Sequence, residues 1–155
     1  MTAETKRIEV TLETHLDSAG LAEAISLRMA GAAGFSEDDC LKISMAVREG
    51  VINAIEYGNG GRGEKKVFLT FELGPEKMVV RVLDQGLGFD LGDVPDPLAE
   101  ENLLKTSGRG IFLMRAFMDE FEVHRGRQGG AELVMAKRLP ASRAADPENP
   151  GRKDA

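Results

Sequence analysis

The sequence predicts an α+β fold, a two-layer α/β sandwich in which a mixed, mostly antiparallel sheet carries helices on one face. The first observation is the order of patterns along the chain: strand, helix, helix, hairpin, loop, helix, hairpin. Strands and helices do not alternate strictly, as they would in a doubly wound parallel sheet. The second observation is that two pairs of β-patterned runs are separated by short glycine-containing turns, which is typical of antiparallel hairpins. Helices packed on one face of such a sheet would bury its apolar side.

The first two elements are a strand and a helix. Residues 7–13 alternate polar and apolar side chains, which predicts a strand. A helix is predicted from Asp17 or Ser18 to about Ala32, because the glycines of residues 31–34 end it. Three apolar residues spaced one turn apart predict an apolar face on this helix: Leu21, Ile25 and Met29.

A second helix is predicted from about Glu37 to Tyr57. Ser36 is its expected N-cap, and the acidic residues that follow favour the positive end of the helix dipole. The glycine-rich run 58–63 ends the helix and is expected to form a flexible loop. Small and branched apolar residues offer a face for the sheet: Val47, Gly50, Val51 and Ala54.

The remaining elements are two hairpins separated by a loop and a helix. Residues 66–72 and 77–83 are β-patterned runs joined by a turn at Gly74 and Pro75. A Gly-, Pro- and acid-rich loop follows over residues 90–107, with room for a short helix near 98–104. A helix is then predicted over residues 108–119. The second hairpin pairs residues 121–125 with residues 131–139 across the glycines of 128–130.

Length and composition indicate one globular domain. The 155 residues accommodate a domain at 7–139, followed by a tail at 140–155 whose Pro, Ala and charged residues predict disorder. The formal net charge of -6 argues against generic nucleic-acid binding, which usually needs a basic face.

The chain is expected to be a cytoplasmic protein. Its single cysteine, Cys40, cannot form an internal disulfide, which favours a reducing compartment, and its apolar helical context predicts a buried structural thiol. No apolar run approaches the roughly 20 residues that span a bilayer, so no membrane association is expected. Residues 1–7 are polar and lack the character of a signal peptide.

Glu49 and Asn53 are the first candidate functional pair. They are four residues apart on the second helix, so their side chains lie one turn apart on the same face. In isolation the pair is typical of a solvated polar stripe. As a functional pair it would present an amide oxygen suited to Mg²⁺ beside a carboxylate that can accept a proton.

The segment Asp84-x-Gly86-x-Gly88 is the second candidate. An apolar strand ends in one carboxylate, and the two glycines that follow let backbone approach a flat ligand closely. A simple turn that closes a hairpin would have the same composition.

Residues 105–110 are the third candidate, because Lys105-Thr-Ser-Gly108-Arg-Gly110 leads directly into a predicted helix. Free backbone N–H groups and the positive end of the helix dipole at such a start favour phosphate. Thr106 or Ser107 can add hydroxyl donors. The alternative is an ordinary N-cap at Ser107 with flexible glycines.

These three motifs, in this order, resemble the GHKL ATPases with the Bergerat ATP-binding fold. Within that superfamily the chain is similar to the small serine/threonine-protein kinases that act as anti-sigma factors in bacterial partner switching. The resemblance covers residues 7–139. Glu49-x-x-x-Asn53-Ala matches the N box, Asp84-x-Gly86-x-Gly88 matches the G1 box, and Ser107-Gly108-Arg-Gly110 matches the G2 box.

The resemblance implies that the cofactors are ATP and Mg²⁺, and it implies roles for the nucleobase end of the site. Asp84 would accept a hydrogen bond from the adenine exocyclic amine. Gly86 and Gly88 would let the base and ribose lie against the backbone.

The resemblance also implies roles at the phosphate end. Asn53 would hold Mg²⁺ that bridges the phosphates, and Glu49 would be the catalytic base toward an incoming hydroxyl. The phosphates would be bound by the segment of Thr106, Ser107, Gly108, Arg109 and Gly110. Arg109 could instead be an ordinary surface residue.

The implied partners are a sigma factor and an anti-sigma antagonist with a STAS domain, with the chain itself as a homodimer. A nucleotide-dependent sequestering module without significant kinase activity is the alternative. Glu49 favours a kinase, because a pure binding switch needs no base. A subunit of a larger GHKL machine is a weaker alternative, since the lysine of its transducer domain is missing.

Two positions depart from the family pattern. Tyr57 occupies a position where the family commonly has His, and Gly58-Asn59 follows it in a glycine-rich run. The departures lie next to the matched boxes and bear on the subclass.

Overall fold

The computed structural model describes residues 5–86, 110–126 and 129–140. Five strands and two helices have defined bounds: β1 (Lys6–Glu13), α1 (Asp17–Ala33), α2 (Glu37–Asn53), β2 (Lys66–Leu73), β3 (Lys77–Leu83), β4 (Glu120–Arg125) and β5 (Ala131–Arg138). Residues 110–117 are also helical and are called α3. The expected loop at 90–107 and the expected tail, apart from Pro140, lie outside the described residues.

The five strands form one sheet in the order β1-β2-β3-β5-β4, and every pairing among these strands is antiparallel. Both predicted hairpins are confirmed. The amide of Gly74 donates to the carbonyl of Lys77 at 3.1 Å in the first turn. The turn of the second hairpin uses glycines with positive φ, 91° at Gly129 and 77° at Gly130.

All three helices contribute to one core with the sheet. The buried side chains on the covered face of β2 and β3 belong to a single cluster with those of the helices. On β2 and β3 they alternate with half-buried residues, as a sheet with one covered face requires. They are Val67, Leu69, Phe71, Met78, Val80 and Val82. The predicted two-layer α+β architecture is therefore confirmed.

The predicted N-cap of α2 is confirmed, because Ser36 accepts a hydrogen bond from the amide of Asp39 at 3.1 Å. The predicted sheet-facing residues of this helix are also buried, among them Val47 and Val51. The α-helical pattern ends at Asn53, and Ala54–Gly58 form a π-helical turn instead of continuing the helix. Such turns are rare and occur frequently at functional sites.

The apolar face predicted for α1 packs only in part: Ile25 and Met29 are half-buried against the core. Leu21 is 54% exposed, whereas the buried residues of α1 are small: Ser18, Ala19, Ala22, Ser26 and Ala30. Small side chains let α1 pack closely on α2, so the neighbouring helix decided which residues of α1 are fully buried. A three-residue connection after Ala33 makes the two helices antiparallel neighbours.

The end of α3 is joined to both the sheet and the start of α2. The buried Lys137 of β5 donates to the carbonyl of Phe117 at 2.5 Å, and its Nζ lies 4.0 Å from the Asp39 carboxylate. Asp119, just after α3, accepts a hydrogen bond from the amide of Arg138 at 2.7 Å. These contacts fix the orientation of α3 at its C-terminal end.

None of the helices in the described part of the chain combines the length and the apolar character needed to cross a membrane.

Candidate functional site

Asp84 lies directly after β3 and is only 7% exposed. Its Oδ1 accepts hydrogen bonds from the amides of Gly86, at 2.9 Å, and Ala131, at 3.0 Å. Its Oδ2 accepts none from the described residues. Burial raises the pKa of this carboxyl above its usual range, although the two amides and the nearby charge of Lys65 oppose the shift. The buried carboxylate is therefore held through Oδ1, and Oδ2 can accept a hydrogen bond from a further donor.

Three glycines pack against Asp84, and a side chain at any of them would collide with this region. A β-carbon on Gly58 would lie 2.0 Å from Oδ2, and one on Gly130 would lie 2.2 Å from the Asp84 carbonyl oxygen. A β-carbon on Gly86 would lie 2.4 Å from the carbonyl oxygen of Gly58. The carboxylate is therefore surrounded by backbone, which allows close approach by a flat ligand.

Gly58 and the second hairpin turn are site features that the sequence analysis missed. In the sequence, Gly58 stood out only as the start of the run that ends α2 and as a departure from the family pattern, and the glycines at 128–130 only as a turn. The structure brings both to Asp84. The amide of Asp84 also donates to the carbonyl of Ala131 at 3.1 Å, so the start of β5 holds the residue by both main chain and side chain.

Asn59 is a second feature that was missed. It is 1% exposed, and its side chain makes three hydrogen bonds. Nδ2 donates to Thr14 Oγ1 at 2.9 Å and to the carbonyl of Lys66 at 3.0 Å, while Oδ1 accepts from the amide of Gln85 at 2.7 Å. The only signal in the sequence was, again, the departure at Gly58-Asn59.

Glu49 and Asn53 lie one turn apart near the end of α2, as predicted, and both are half-buried. The Oδ1 atom of Asn53 is buried and has no hydrogen-bond partner among the described residues. The Glu49 carboxylate likewise forms no hydrogen bond or ion pair with them. A buried carbonyl oxygen without a hydrogen-bond partner destabilises the folded protein, so a ligand that contacts the Asn53 Oδ1 atom would remove an unfavourable free-energy contribution.

The turn of α2 between these two residues packs against α3. A β-carbon on Gly50 would be 3.6 Å from the Met114 sulfur and 3.4 Å from the terminal methyl of Met135. Gly110, at the first described position of α3, is buried. Five predicted site residues lie outside the described residues: Gly88, Thr106, Ser107, Gly108 and Arg109.

The chemistry of Asn53 fits Mg²⁺ bound together with phosphates. The described residues contain no group of three or more His, Cys, Asp or Glu side chains that could hold a metal ion by themselves. Mg²⁺ prefers oxygen ligands, keeps several waters and usually takes one or two protein ligands plus substrate phosphates. One unpartnered amide oxygen matches that mode of binding.

Comparison with known proteins agrees with this arrangement. The model of the histidine kinase-like ATPase domain matches residues 12–137. The chain is 29% identical to the anti-sigma F factor of Bacillus subtilis (strain 168) over 140 residues, which cover 85% of this chain and 96% of that protein.

Two further relatives are also named anti-sigma F factors. The protein from Bacillus thuringiensis (strain Al Hakam) is 32% identical over 109 residues, covering 69% of this chain and 75% of the relative. The protein from Clostridium beijerinckii is 29% identical over 104 residues, covering 66% of this chain and 73% of the relative. The resemblance to the GHKL ATPases is confirmed, and the chain belongs to the histidine kinase-like ATPase domain family.

Proposed function

We propose that this chain binds Mg-ATP and acts as an ATP-dependent serine/threonine-protein kinase and anti-sigma factor. The observation that carries the proposal is the buried Oδ1 of Asn53, one turn after the carboxylate of Glu49, both without a hydrogen-bond partner among the residues that the structure describes. A metal ligand and a base on one rigid helix are what phosphoryl transfer requires, because its catalysis depends on positioning and neutralisation of charge.

Asp84 is the proposed nucleobase contact. Its Oδ2, which has no hydrogen-bond partner in the described part of the chain, is proposed to accept a hydrogen bond from the exocyclic amine of adenine, whereas guanine presents a carbonyl oxygen at that position and would repel the carboxylate. The backbone surface formed by Gly58 and Gly86 lets the base lie close to Asp84. Gly88, next in the motif, is proposed to serve the ribose in the same way.

Asn53 is proposed to ligate Mg²⁺, which when bound would neutralise phosphate charge. The segment from Thr106 to Gly110 is proposed to bind the phosphates through its amides and hydroxyls, with Arg109 adding positive charge. The position of α3 beside Gly50 supports this assignment, because Met114, one helical turn after Gly110, packs against the turn that contains Glu49 and Asn53.

Glu49 is the proposed base of the transfer step. The hydroxyl oxygen of an acceptor serine or threonine bonds to the γ-phosphorus, the bond between that phosphorus and the bridging oxygen of ADP breaks, and Glu49 takes the hydroxyl proton. ADP leaves with the electron pair of the broken bond. The absence of a hydrogen-bond or ion-pair partner for Glu49 among the described residues supports this role.

The proposed partners follow from the relatives. The name anti-sigma F factor, shared by relatives that this chain covers by 96% and 75%, supports binding of a sigma factor. Phosphorylation of an antagonist with a STAS domain, homodimer formation and a cytoplasmic location are proposed on the family resemblance.

Transfer of label from γ-labelled ATP tests the kinase proposal. The purified chain is incubated with MgCl₂ and the STAS-domain protein encoded nearest to its gene, and the acceptor serine of that protein is mutated to alanine as the control. Label on the wild-type acceptor alone supports the kinase. ATP binding by calorimetry without any transfer would leave the sequestering module, and no binding of adenine nucleotides would overturn the whole proposal.

A further inference from the structure

We infer that Asn59 is a positioning residue for nucleobase recognition. Its side-chain oxygen accepts a hydrogen bond from the backbone N–H of Gln85 and so holds the turn that contains Asp84. This inference rests on the proposed function, because it concerns how Asp84 is aimed at adenine. Asn59 itself is buried behind the turn and is not proposed to touch the nucleotide.

The geometry separates two parts of the Asn59 side chain. The amide nitrogen joins parts of the scaffold, because its acceptors are Thr14, between β1 and α1, and Lys66, the first residue of β2. The carbonyl oxygen alone reaches the site, where it accepts from Gln85 at 2.7 Å. Gln85 is next to Asp84, and Gly86 is already bound to Asp84 Oδ1. The backbone N–H groups of residues 84, 85 and 86 therefore each donate a hydrogen bond, which fixes the conformation of this turn.

The same residue also sets the position of Gly58. Asn59 directly follows it, and the Asn59 amide donates to the carbonyl of Ala54 at 2.8 Å, which closes the π-helical turn. The Gly58 backbone lies against the Asp84 carboxylate. Asn59 therefore fixes both partners of this contact: its side chain holds the turn of Asp84, and its backbone N–H holds Gly58. Gln85 adds a return contact, as its Oε1 accepts from the Lys66 amide at 2.6 Å.

Nucleobase selectivity distinguishes this role from a purely structural one. Loss of a purely structural hydrogen bond lowers the free energy of unfolding, but in the molecules that remain folded the ratio of the Kd values for ATP and GTP is unchanged. Loss of alignment at Asp84 weakens ATP alone, because GTP gains nothing from that carboxylate. We therefore expect Asn59→Ala to raise the Kd for ATP by about tenfold and to lower the preference for ATP over GTP by a similar factor.

Asn59→Asp is the matched variant, because it keeps the acceptor for the backbone amide of Gln85 and replaces the donor to the scaffold by a buried carboxylate oxygen that the Lys66 carbonyl repels. It should lose stability yet keep the wild-type preference for ATP. Phe35→Leu serves as a control for stability alone, since Phe35 is a buried core residue in the α1–α2 connection. Kd values are measured by calorimetry at a temperature where each variant is folded by circular dichroism.

The outcomes are decisive in each case. A lowered ATP preference in Asn59→Ala, with the preference kept in Asn59→Asp and Phe35→Leu, supports the inference. An unchanged preference in Asn59→Ala, or an equal loss in Asn59→Asp, overturns it while the proposed function stands. If Asn59→Ala does not fold, Gln85→Pro decides, because proline lacks the backbone N–H that Asn59 accepts: a lowered ATP preference in that variant supports the inference, and an unchanged preference overturns it. Failure of the wild-type protein to bind ATP would instead refute the proposed function.

Discussion

The backbone of Gly58 lies directly against the carboxylate of Asp84, so closely that a β-carbon at position 58 would be 2.0 Å from Oδ2 and 2.3 Å from Cγ. This contact joins the π-helical turn after Asn53 to the end of β3. Gly58 is the last residue of that turn, which begins directly after Asn53. The metal-binding and nucleobase-binding ends of the proposed site are thus parts of one rigid connection.

Gly58→Ala should therefore abolish adenine recognition. The new methyl group occupies the space of the carboxylate, so Asp84 must move away from its two amide donors. The loss of one charge-assisted hydrogen bond corresponds to a Kd for ATP raised by about 10- to 100-fold. Calorimetry with ATP checks this, and Gly63→Ala is the matched control because a β-carbon there meets nothing within 4 Å. Equal affinities of the two variants would contradict the prediction.

Asp84→Asn should separate binding from stability. Asparagine keeps an oxygen for the amides of Gly86 and Ala131, but it cannot accept the adenine amine at the position of Oδ2. It also removes a charge whose burial is unfavourable, as the raised pKa of Asp84 shows. At pH 7 the variant without nucleotide should be at least as stable as wild type in urea unfolding, while ATP binding is lost. A large loss of stability would show that the charge is structural.

The pH dependence of wild type against Asp84→Asn follows from the same shift. A carboxyl whose pKa is raised in the folded protein contributes stability as pH falls from the folded pKa toward the unfolded value of 3.8. The difference in free energy of unfolding should therefore move in favour of wild type as pH decreases through that window. ATP affinity should fall over the same window, because a protonated Asp84 accepts the adenine amine poorly. Urea unfolding and calorimetry at matched pH values measure both.

Gly20 and Gly34 test how backbone conformation contributes to the stability of α1, because both have open space around them. A β-carbon on Gly20 or on Gly34 would meet nothing within 4 Å, but Gly34 has φ of 96° and ends the helix. Gly20→Ala should raise the free energy of unfolding by about 0.5–1 kcal/mol through helix propensity. Gly34→Ala should lower it by about 1–2 kcal/mol, because the left-handed conformation is strained for alanine. Changes of the same sign would refute this account.

The strands and hairpins were predictable because their signals are local. The alternation of apolar and polar residues along β2 and β3 and the turn at Gly74 depend only on neighbouring residues. Ser36 alone, as an N-cap residue, indicates the start of α2. The apolar pattern of α1 predicted its packed face only in part, because Ile25 and Met29 pack against the core whereas Leu21 is exposed. Leu21 matches an apolar stripe, but the close approach of α2 selects the small side chains of Ala22 and Ala30 instead.

Asn59 shows why the site was only partly predictable. The boxes that contain Asp84 and Asn53 are short motifs, so their residues could be named from spacing. The partners of Asn59 come from three separate parts of the chain, near residues 14, 66 and 85. No local pattern reports a contact of that kind, because it exists only once the sheet and the π-helical turn have brought these segments together.

Asn53→Ala and Glu49→Ala should lose different functions. Asn53→Ala removes the proposed metal ligand, so binding of Mg-ATP should be abolished. In buffer with EDTA, its residual affinity for ATP should equal that of wild type. Its stability without nucleotide should not fall, because the substitution removes an amide whose oxygen is buried and has no partner among the described residues. Glu49→Ala should keep Mg-ATP binding and lose transfer to the acceptor serine.

These two variants are read by calorimetry and by label transfer from γ-labelled ATP, with Met45→Ala as a control on the same helix, since Met45 is 42% exposed. Equal loss of binding in Asn53→Ala and Glu49→Ala would contradict the assigned roles. A difference between Asn53→Ala and wild type that persists in EDTA would show that Asn53 contacts the nucleotide directly. Because both residues lie on one face of α2, only this division of effects separates a metal ligand from a base.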